Sequence, residues 1–330
     1  MSLERDRKFL ARAFTLARRV APRATSPNPR VACVLVKNGR VIGEGAHLAF
    51  GKAHAEPNTL ARMRGRPAGA TAYVTMEPCA PFPGKKTPSC AETLAASGIA
   101  RVVCASLDPN PKVAGRGLAL LRRAGAKTLR LAEFQAAAEE LNRGFYSRMR
   151  RGRPWVVLKT ALSLDGKAAA ANGRSRWVTG APARSAVHRM RAEFDAILVG
   201  AGTILADNPA LTSHGAGKNP LRIILAGRHA LPRRARVFDA SAPTVVYRAR
   251  TSAALRTTLK DLSRRGVGTL LIEGGPTIHA AFLRAGLVDE ASIFLAPKLL
   301  SGALDPNTAP KLKTPRVSRL GDDWLIQGVL

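Results

Sequence analysis

Four residues in the first half of the chain carry chemistry as a set: His54, Glu56, Cys79 and Cys90, the two cysteines separated by ten residues. Two thiolates and one imidazole are ligands suited to Zn²⁺ and leave its fourth tetrahedral position open for a water molecule. A zinc ion bound in that way lowers the pKa of the water to about 7, which makes hydroxide available at neutral pH. Glu56, two residues from the imidazole, is placed to carry a proton between such a water and a substrate. Two further cysteines, Cys33 and Cys104, sit inside apolar runs and read as small buried side chains. Pro57 fits within the first turn of a helix, where its missing N–H has no intrahelical partner to lose.

The elements that must hold these groups follow from periodicity. Apolar residues at helical spacing over 4–20 predict an amphipathic first helix. The runs Val31–Val36 and Val41–Gly43 flank Asn38-Gly39, a hairpin signal. A helix from His54, a strand Thr71–Met76, a helix Ser89–Ser97, a strand Arg101–Ser106, a helix near Gly117–Ala124 and a strand Lys127–Leu131 follow. A hairpin continued by alternating strands and helices predicts a mixed sheet with flanking helices. His54 then opens a helix, Cys79 follows a strand and Cys90 starts the next helix.

The segment 148–154 has four charges, a Gly and a Pro and no apolar period, so it is predicted to be a basic linker between domains 1–147 and 155–330. Beyond it a second alternation begins. Strands are expected at Trp155–Leu162, Ala196–Gly200, Leu221–Leu225, Thr244–Tyr247, Thr269–Glu273 and Ala291–Leu295, with helices at Ala181–Ala192, Ser252–Arg264 and Pro276–Ala285. The last 30 residues are polar and Pro-bearing and are assigned no element. The class is α/β in both halves.

Composition narrows the function classes. The chain has 330 residues and a formal net charge of +31. Such a balance raises nucleic acid as a partner, but the excess is +14 over 1–147, +4 over 148–154 and +13 over 155–330, spread rather than concentrated in one arm or tail. It reads as bulk surface composition. No apolar run is long enough to span a membrane, and the charged start lacks the apolar core of a secretory signal. A cytoplasmic protein is expected.

His-x-Glu with Pro-Cys and a later Cys is the pattern of zinc nucleobase deaminases, in which the Glu is not a ligand. Ser26-Pro-Asn-Pro29, Gly45-Ala-His47, Tyr73-Val-Thr-Met-Glu-Pro-Cys79 and Asp108-Pro-Asn-Pro111 surround that pattern. In the second half stand Gly152-Arg-Pro154, Lys159-Thr-Ala-Leu-Ser-Leu-Asp-Gly166, Ser175-Arg-Trp177, Asp207-Asn-Pro-Ala-Leu-Thr212 and Glu273-Gly-Gly-Pro-Thr277. With these two motif sets in order over residues 5–300, the sequence resembles the bifunctional riboflavin-biosynthesis deaminase-reductases.

The resemblance implies a cytidine-deaminase-like N-terminal domain and a dihydrofolate-reductase-like C-terminal domain. It implies deamination of 2,5-diamino-6-ribosylamino-4(3H)-pyrimidinone 5′-phosphate, then reduction of the ribosyl group to ribityl with NADPH. It also implies a homo-oligomer with small-molecule partners. Residue by residue, it makes His54, Cys79 and Cys90 zinc ligands and Glu56 the proton shuttle. Asn28, His47, Asp108 and Asn110 would hold the pyrimidine and ribose phosphate, with Lys85 or Lys86 on the phosphate. Lys159, Ser175, Arg191, Leu211 and Glu273 would contact the second substrate, Lys159 polarising or protonating the sugar oxygen. Ala161, Trp177, Thr203, Asp207, Gly275, Pro276 and Thr277 match cofactor-binding positions.

Three departures from the family pattern are visible. Ala80-Pro81 stands where the family has Ser-His, and the spacing between the two cysteines is longer. His214 stands where the family has a phosphate-contacting Arg, and an imidazole lacks the guanidinium fork. Ala226-Gly227 replaces Asp-Ser at another cofactor position, and Arg228 next to it could reach a 2′-phosphate. The competing reading, a nucleic-acid base deaminase with an accessory α/β domain, leaves the second motif set without a purpose and lacks a basic, aromatic-rich patch for stacking bases.

Overall fold

The computed structural model describes residues 2–82, 88–169, 178–301, 313–320 and 323–329. The chain divides into two compact units, Met1–Trp155 with Leu259–Thr269, and Val156–Thr258 with Leu270–Leu330.

In the first unit the apolar stripe of the N-terminal segment forms α1 (Leu3–Arg19) and buries Leu10, Ala13, Phe14 and Ala17. The hairpin of β1 (Ala32–Lys37) and β2 (Arg40–Ala46) turns at Asn38 and Gly39, both at positive φ as such a turn requires. Then come α2 (Ala55–Arg62), β3 (Thr71–Val74), α3 (Cys90–Ala96), β4 (Arg101–Cys104), α4 (Arg116–Arg123), β5 (Lys127–Arg130), α5 (Gln135–Leu141) and α6 (Arg143–Arg151). The sheet order is β2-β1-β3-β4-β5. β1 pairs antiparallel with β2 and β3, and β3, β4 and β5 are parallel, so the sheet is mixed as expected. Alternation along β1 sends Val34 and Val36 to a core shared with α1 and α5. Cys33 and Leu35 go to the opposite core, with Leu94 of α3 and Leu118 and Leu121 of α4. Burial raises both non-ligand thiols, Cys104 to about 12.

The segment 148–154 is not a free linker. Arg148–Arg151 is the last turn of α6, and Gly152 caps it in the left-handed region. The basic run that sequence reasoning took for a boundary is placed where cations face the carbonyl end of a helix dipole. α5 and α6 were not foreseen as elements.

Further along the chain come β6 (Trp155–Ser163), α7 (Ala181–Glu193), β7 (Ala196–Gly200), α8 (Ala201–Asp207), β8 (Leu221–Leu225), β9 (Thr244–Tyr247), α9 (Ser252–Arg264), whose residues from Leu259 on belong to the first unit, β10 (Thr269–Gly274), α10 (Pro276–Arg284) and β11 (Glu290–Ala296). The sheet order is β11-β6-β10-β7-β8-β9. The pairs β10·β7, β7·β8, β8·β9 and β11·β6 are parallel. Central β7 is buried along its whole length, which is why Ala196–Gly200 reads as an unbroken apolar run. The last 30 residues, assigned no element from sequence, hold a two-stranded antiparallel sheet of β12 (Lys313–Leu320) and β13 (Asp323–Val329). Among the described residues no helix is long and apolar enough to cross a membrane.

Candidate active sites

His54 caps the start of α2, and Glu56 lies in its first turn. Cys79 follows β3, and Cys90 begins α3, whose start is fixed by a capping box between Ser89 and Glu92. The three ligand atoms lie within 4.8 Å of one another. His54 Nδ1 is 3.7 Å from Cys79 Sγ and 3.4 Å from Cys90 Sγ. A tetrahedral zinc with ordinary Zn–S and Zn–N bonds sets those edges at about 3.6 Å. The donor set therefore fits zinc in both chemistry and spacing. The Cys90 backbone N–H donates to Cys79 Sγ at 3.3 Å. A hydrogen bond from the Cys90 thiol holds the Cys79 thiol well below its usual range, and that side-chain bond together with burial pushes Cys90 up.

Around this set the groups expected to hold a pyrimidine are drawn together. Glu56 is 3% exposed, and burial, with Cys79 nearby, pushes its carboxyl up to about 7. His47 Nδ1 lies 2.9 Å from the Ala53 carbonyl, which can only accept, so this nitrogen carries the proton. Nε2 is then the acceptor facing Asn28 Nδ2 at 3.4 Å. Burial lowers His47, keeping it neutral, and its ring centroid is 5.2 Å from that of His54. Asp108 is 8% exposed, and its carboxyl is raised to about 7 by burial, opposed by the Asn110 backbone N–H at 2.8 Å. It also senses the charges of Cys79 and His54. Lys85 and Lys86 lie outside the described residues.

Sequence reasoning passed over the residue that organises this loop. Glu77, 4% exposed, accepts four backbone N–H groups. Its Oε1 takes Gly117 and Leu118 at 3.0 and 3.2 Å, and its Oε2 takes Gly115 and Asp108 at 2.9 and 3.2 Å. One carboxylate thus ties the strand end before Pro78-Cys79 to the Asp108 loop and the start of α4. Gly117 has to be glycine, since a Cβ there would lie 1.8 Å from the Pro78 carbonyl oxygen. The only sequence signal was an acid directly before Pro-Cys.

In the second unit Lys159 and Ala161 lie on β6, beside β10, which ends in Glu273 and Gly274. Arg191 of α7 forms a two-pronged ion pair with Glu273, both contacts 2.7 Å, and its third nitrogen donates to the Thr212 carbonyl. Burial lowers Lys159, with Glu273 opposing that effect and Arg191 adding to it. Thr203 of α8 places Oγ1 3.7 Å from where a Cβ on Gly275 would stand. Gly275 caps α10 without a side-chain cap, Pro276 and Thr277 lie in its first turn, and the Ile278 and His279 N–H groups bond back to the Gly275 carbonyl. Asp207 ends α8, and Gly227, at φ +57, follows β8, two strands from β10. The Leu211 side chain is packed in the core with Ile197 and Val199. Exposed His214 stacks on His188 of α7, centroids 4.1 Å apart, and burial and then neighbouring charges lower both imidazoles. Ser175 and Trp177 lie outside the described residues.

The first unit's sheet with its His-Cys-Cys cluster defines a zinc-binding deaminase region, and the second a reductase domain. Comparison agrees: the cytidine and deoxycytidylate deaminase zinc-binding region matches residues 3–106, and the RibD C-terminal domain matches residues 154–326. The riboflavin biosynthesis protein RibD of Haemophilus influenzae is 37% identical over 98% of this chain and 93% of that protein. The Thermotoga maritima diaminohydroxyphosphoribosylaminopyrimidine deaminase/5-amino-6-(5-phosphoribosylamino)uracil reductase is 33% identical, with a TM-score of 0.81 over 98% of both chains. Acinetobacter baumannii RibD in one crystal form is 34% identical, with a TM-score of 0.83 over 98% of both. The chain belongs to the RibD family of riboflavin-biosynthesis proteins and carries both its deaminase and its reductase halves.

Proposed function

We propose that the chain deaminates 2,5-diamino-6-ribosylamino-4(3H)-pyrimidinone 5′-phosphate and then reduces the ribosyl group of the product with NADPH. The observation that carries this reading is the convergence of His54, Cys79 and Cys90 beside a buried Glu56. Zinc held by those three residues would supply an activated water. Glu56, whose carboxyl burial raises to about 7, would take one proton from that water and pass it to the ring nitrogen, then take the proton of the hydroxyl added to carbon and pass it to the departing ammonia. The amide of Asn28, oriented by the acceptor Nε2 of neutral His47, offers both a donor and an acceptor to the ring edge, and Asp108 with Asn110 borders it.

In the second unit NADPH would supply the hydride. Lys159 holds a proton for the sugar oxygen, within reach of the charges of the Arg191–Glu273 pair. The first turn of α10, Thr203, Ala161 and Asp207 are the groups proposed to take the cofactor, with Arg228 beside Gly227 for its 2′-phosphate. His214, stacked on His188 and lowered by burial and neighbouring charges, replaces the family's Arg without its charge or fork, so the grip on the substrate phosphate should be weaker at this position.

All four cysteines are free thiols, which suits a cytoplasmic location. A homo-oligomer is supported by β11, an edge strand whose Ile293 and Leu295 are 58% and 51% exposed on one face.

The test is a coupled assay of the purified chain with the diaminopyrimidine phosphate and NADPH, alongside metal analysis. About one zinc per chain and substrate-dependent NADPH consumption are expected. Glu56→Gln should lower the deamination rate by about 10²–10⁴ and spare reduction of the deaminated intermediate, and Lys159→Ala should do the reverse. A Glu56→Gln protein with full deaminase rate would remove that residue from the proton transfer.

A further inference from the structure

Trp155, the first residue of β6, belongs to the first unit. Gly152, in the left-handed region, ends α6 and turns the chain, so that Trp155 comes back beside that helix. On α6, Arg143, Tyr146, Arg150 and Arg151 recur at a spacing of three to four residues and share one face. With Glu139 of α5 and Trp155 they line a cleft of about 410 Å³, all of whose walls come from the first unit. Ligand pockets run from about 300 to about 1,000 Å³, so this one has room for a molecule of mononucleotide size.

The lining sets guanidinium against aromatic ring three times. Arg143 and Arg151 lie over the Trp155 ring, 5.9 and 5.2 Å from its centroid, and Arg150 lies 4.7 Å from the centroid of Tyr146. A guanidinium offers a planar fork that matches a phosphate and a face that stacks on a ring. Three arginines against two glutamates leave the lining net positive, and one of those glutamates, Glu139, is already bonded to Arg150 at 2.8 Å. Such a lining complements a flat ring that carries an anion.

The same helix also holds the deaminase site in place. The Tyr146 hydroxyl lies 2.6 Å from Ser106 Oγ, two residues before Asp108, and the Ser106 carbonyl accepts the Glu77 N–H at 2.9 Å. Asn142, at the start of α6, bonds both backbone groups of Arg30, and Arg148 donates to the Pro27 carbonyl, on either side of Asn28. A molecule seated against Tyr146 and Trp155 therefore bears on a helix that fixes the Asn28 and Asp108 loops together.

The geometry points to a regulatory site: the α6 cleft binds a planar heterocycle carrying a phosphate, and its occupancy alters substrate binding at the deaminase centre. Two sources share that chemistry, a flavin phosphate and a purine mononucleotide. The regulatory half rests on the deaminase reading of the first unit.

The experiment uses the full zinc-loaded chain, with FMN and AMP as probes and with riboflavin and inorganic phosphate as controls for ring and anion alone. Equilibrium dialysis gives Kd, and deaminase KM is measured with and without saturating probe. The tighter probe names the source, and each control should bind at least about tenfold more weakly. Replacing Arg143→Gln and Arg151→Gln together should raise the probe Kd about tenfold or more. Bound probe should shift deaminase KM about fivefold or more in the parent, but not in Tyr146→Phe, which keeps the ring and lacks the hydroxyl that reaches Ser106.

Failure of both probes to bind, a Kd unmoved by the double substitution, or inorganic phosphate binding as tightly as the better probe overturns the site. A KM within about twofold of its ligand-free value at saturation overturns the regulation. Should the double variant not fold, hydrogen exchange of the parent decides: bound probe should slow the α6 amides, and unchanged exchange there overturns the site. A parent chain that deaminates nothing would instead overturn the deaminase reading, with the binding measurements still deciding the cleft.

Discussion

Glu77 touches no reacting group, yet its carboxylate is the shared acceptor for Gly115, Gly117, Leu118 and Asp108. Glu77→Gln replaces one acceptor oxygen with an NH₂ that faces backbone N–H groups, so two charge-assisted bonds are lost and two donors are left buried. Each such loss costs about 1.5–3 kcal/mol. The cost should fall on the Asp108 loop rather than on the zinc ligands, because Cys79 and Cys90 are held by the β3 end and by the α3 cap. The expected result is a deaminase KM raised by about tenfold or more, with zinc content and reductase rate unchanged. Steady-state kinetics with metal analysis reads all three, and an unchanged KM would show that the loop holds itself. The same contrast explains what was legible at this scale. His54, Glu56, Cys79 and Cys90 declare themselves through residue type and local spacing. Glu77 acts through partners brought near by folding, across about 40 positions of chain, and no local pattern encodes that.

Secondary structure was legible wherever the apolar period was clear: α1, the Asn38-Gly39 hairpin, and the buried strands β3, β4, β7 and β10. It failed at α5 and α6, because the charged face of α6 masks a short apolar stripe in which Tyr146 is the one large buried side chain. This misread segment has a positioning role. Asn142, 7% exposed at the junction of the two helices, accepts the Arg30 N–H at 2.7 Å and donates to the Arg30 carbonyl at 3.0 Å. Arg148, assigned to a linker from sequence, donates to the Pro27 carbonyl. Both clamp the loop that presents Asn28. Asn142→Ala removes two hydrogen bonds and strands two backbone groups, a loss of about 2 kcal/mol that should lower the Tm of this unit by roughly 4–8 °C. The deaminase KM should rise with it as Asn28 loosens, which calorimetry and kinetics on one preparation would establish. A lowered Tm with unchanged KM would restrict Asn142 to stability.

For the whole molecule, the net charge of +31 is the feature that most strongly suggests a polynucleotide, and its distribution is what argues otherwise. The two sequence-assigned domains carry nearly equal excesses, +14 and +13, and Arg148, Arg150 and Arg151 of the remaining basic run are spent on the end of a helix and its neighbours. Some cations are also internal: Arg101 pairs with buried Asp6, Arg191 with Glu273, and Arg222 is fully buried beside Asp239. What remains is a diffuse positive field over a chain whose proposed substrates and cofactor all carry phosphate. A field of that kind speeds the approach of small anions without adding a contact at the site. Its reach is set by screening, about 10 Å at 0.1 M salt and about 3 Å at 1 M. Raising salt from about 50 mM to about 500 mM should therefore lower kcat/KM for both half-reactions by up to about tenfold while kcat stays level, since the chemical steps occur inside clefts that salt does not reach. Stopped-flow and steady-state rates across that range test this, with an uncharged osmolyte as the control for viscosity. A kcat that falls in parallel would place the effect on folding or on the chemistry. Tight, salt-sensitive binding of generic RNA at physiological ionic strength would return the charge to a nucleic-acid role.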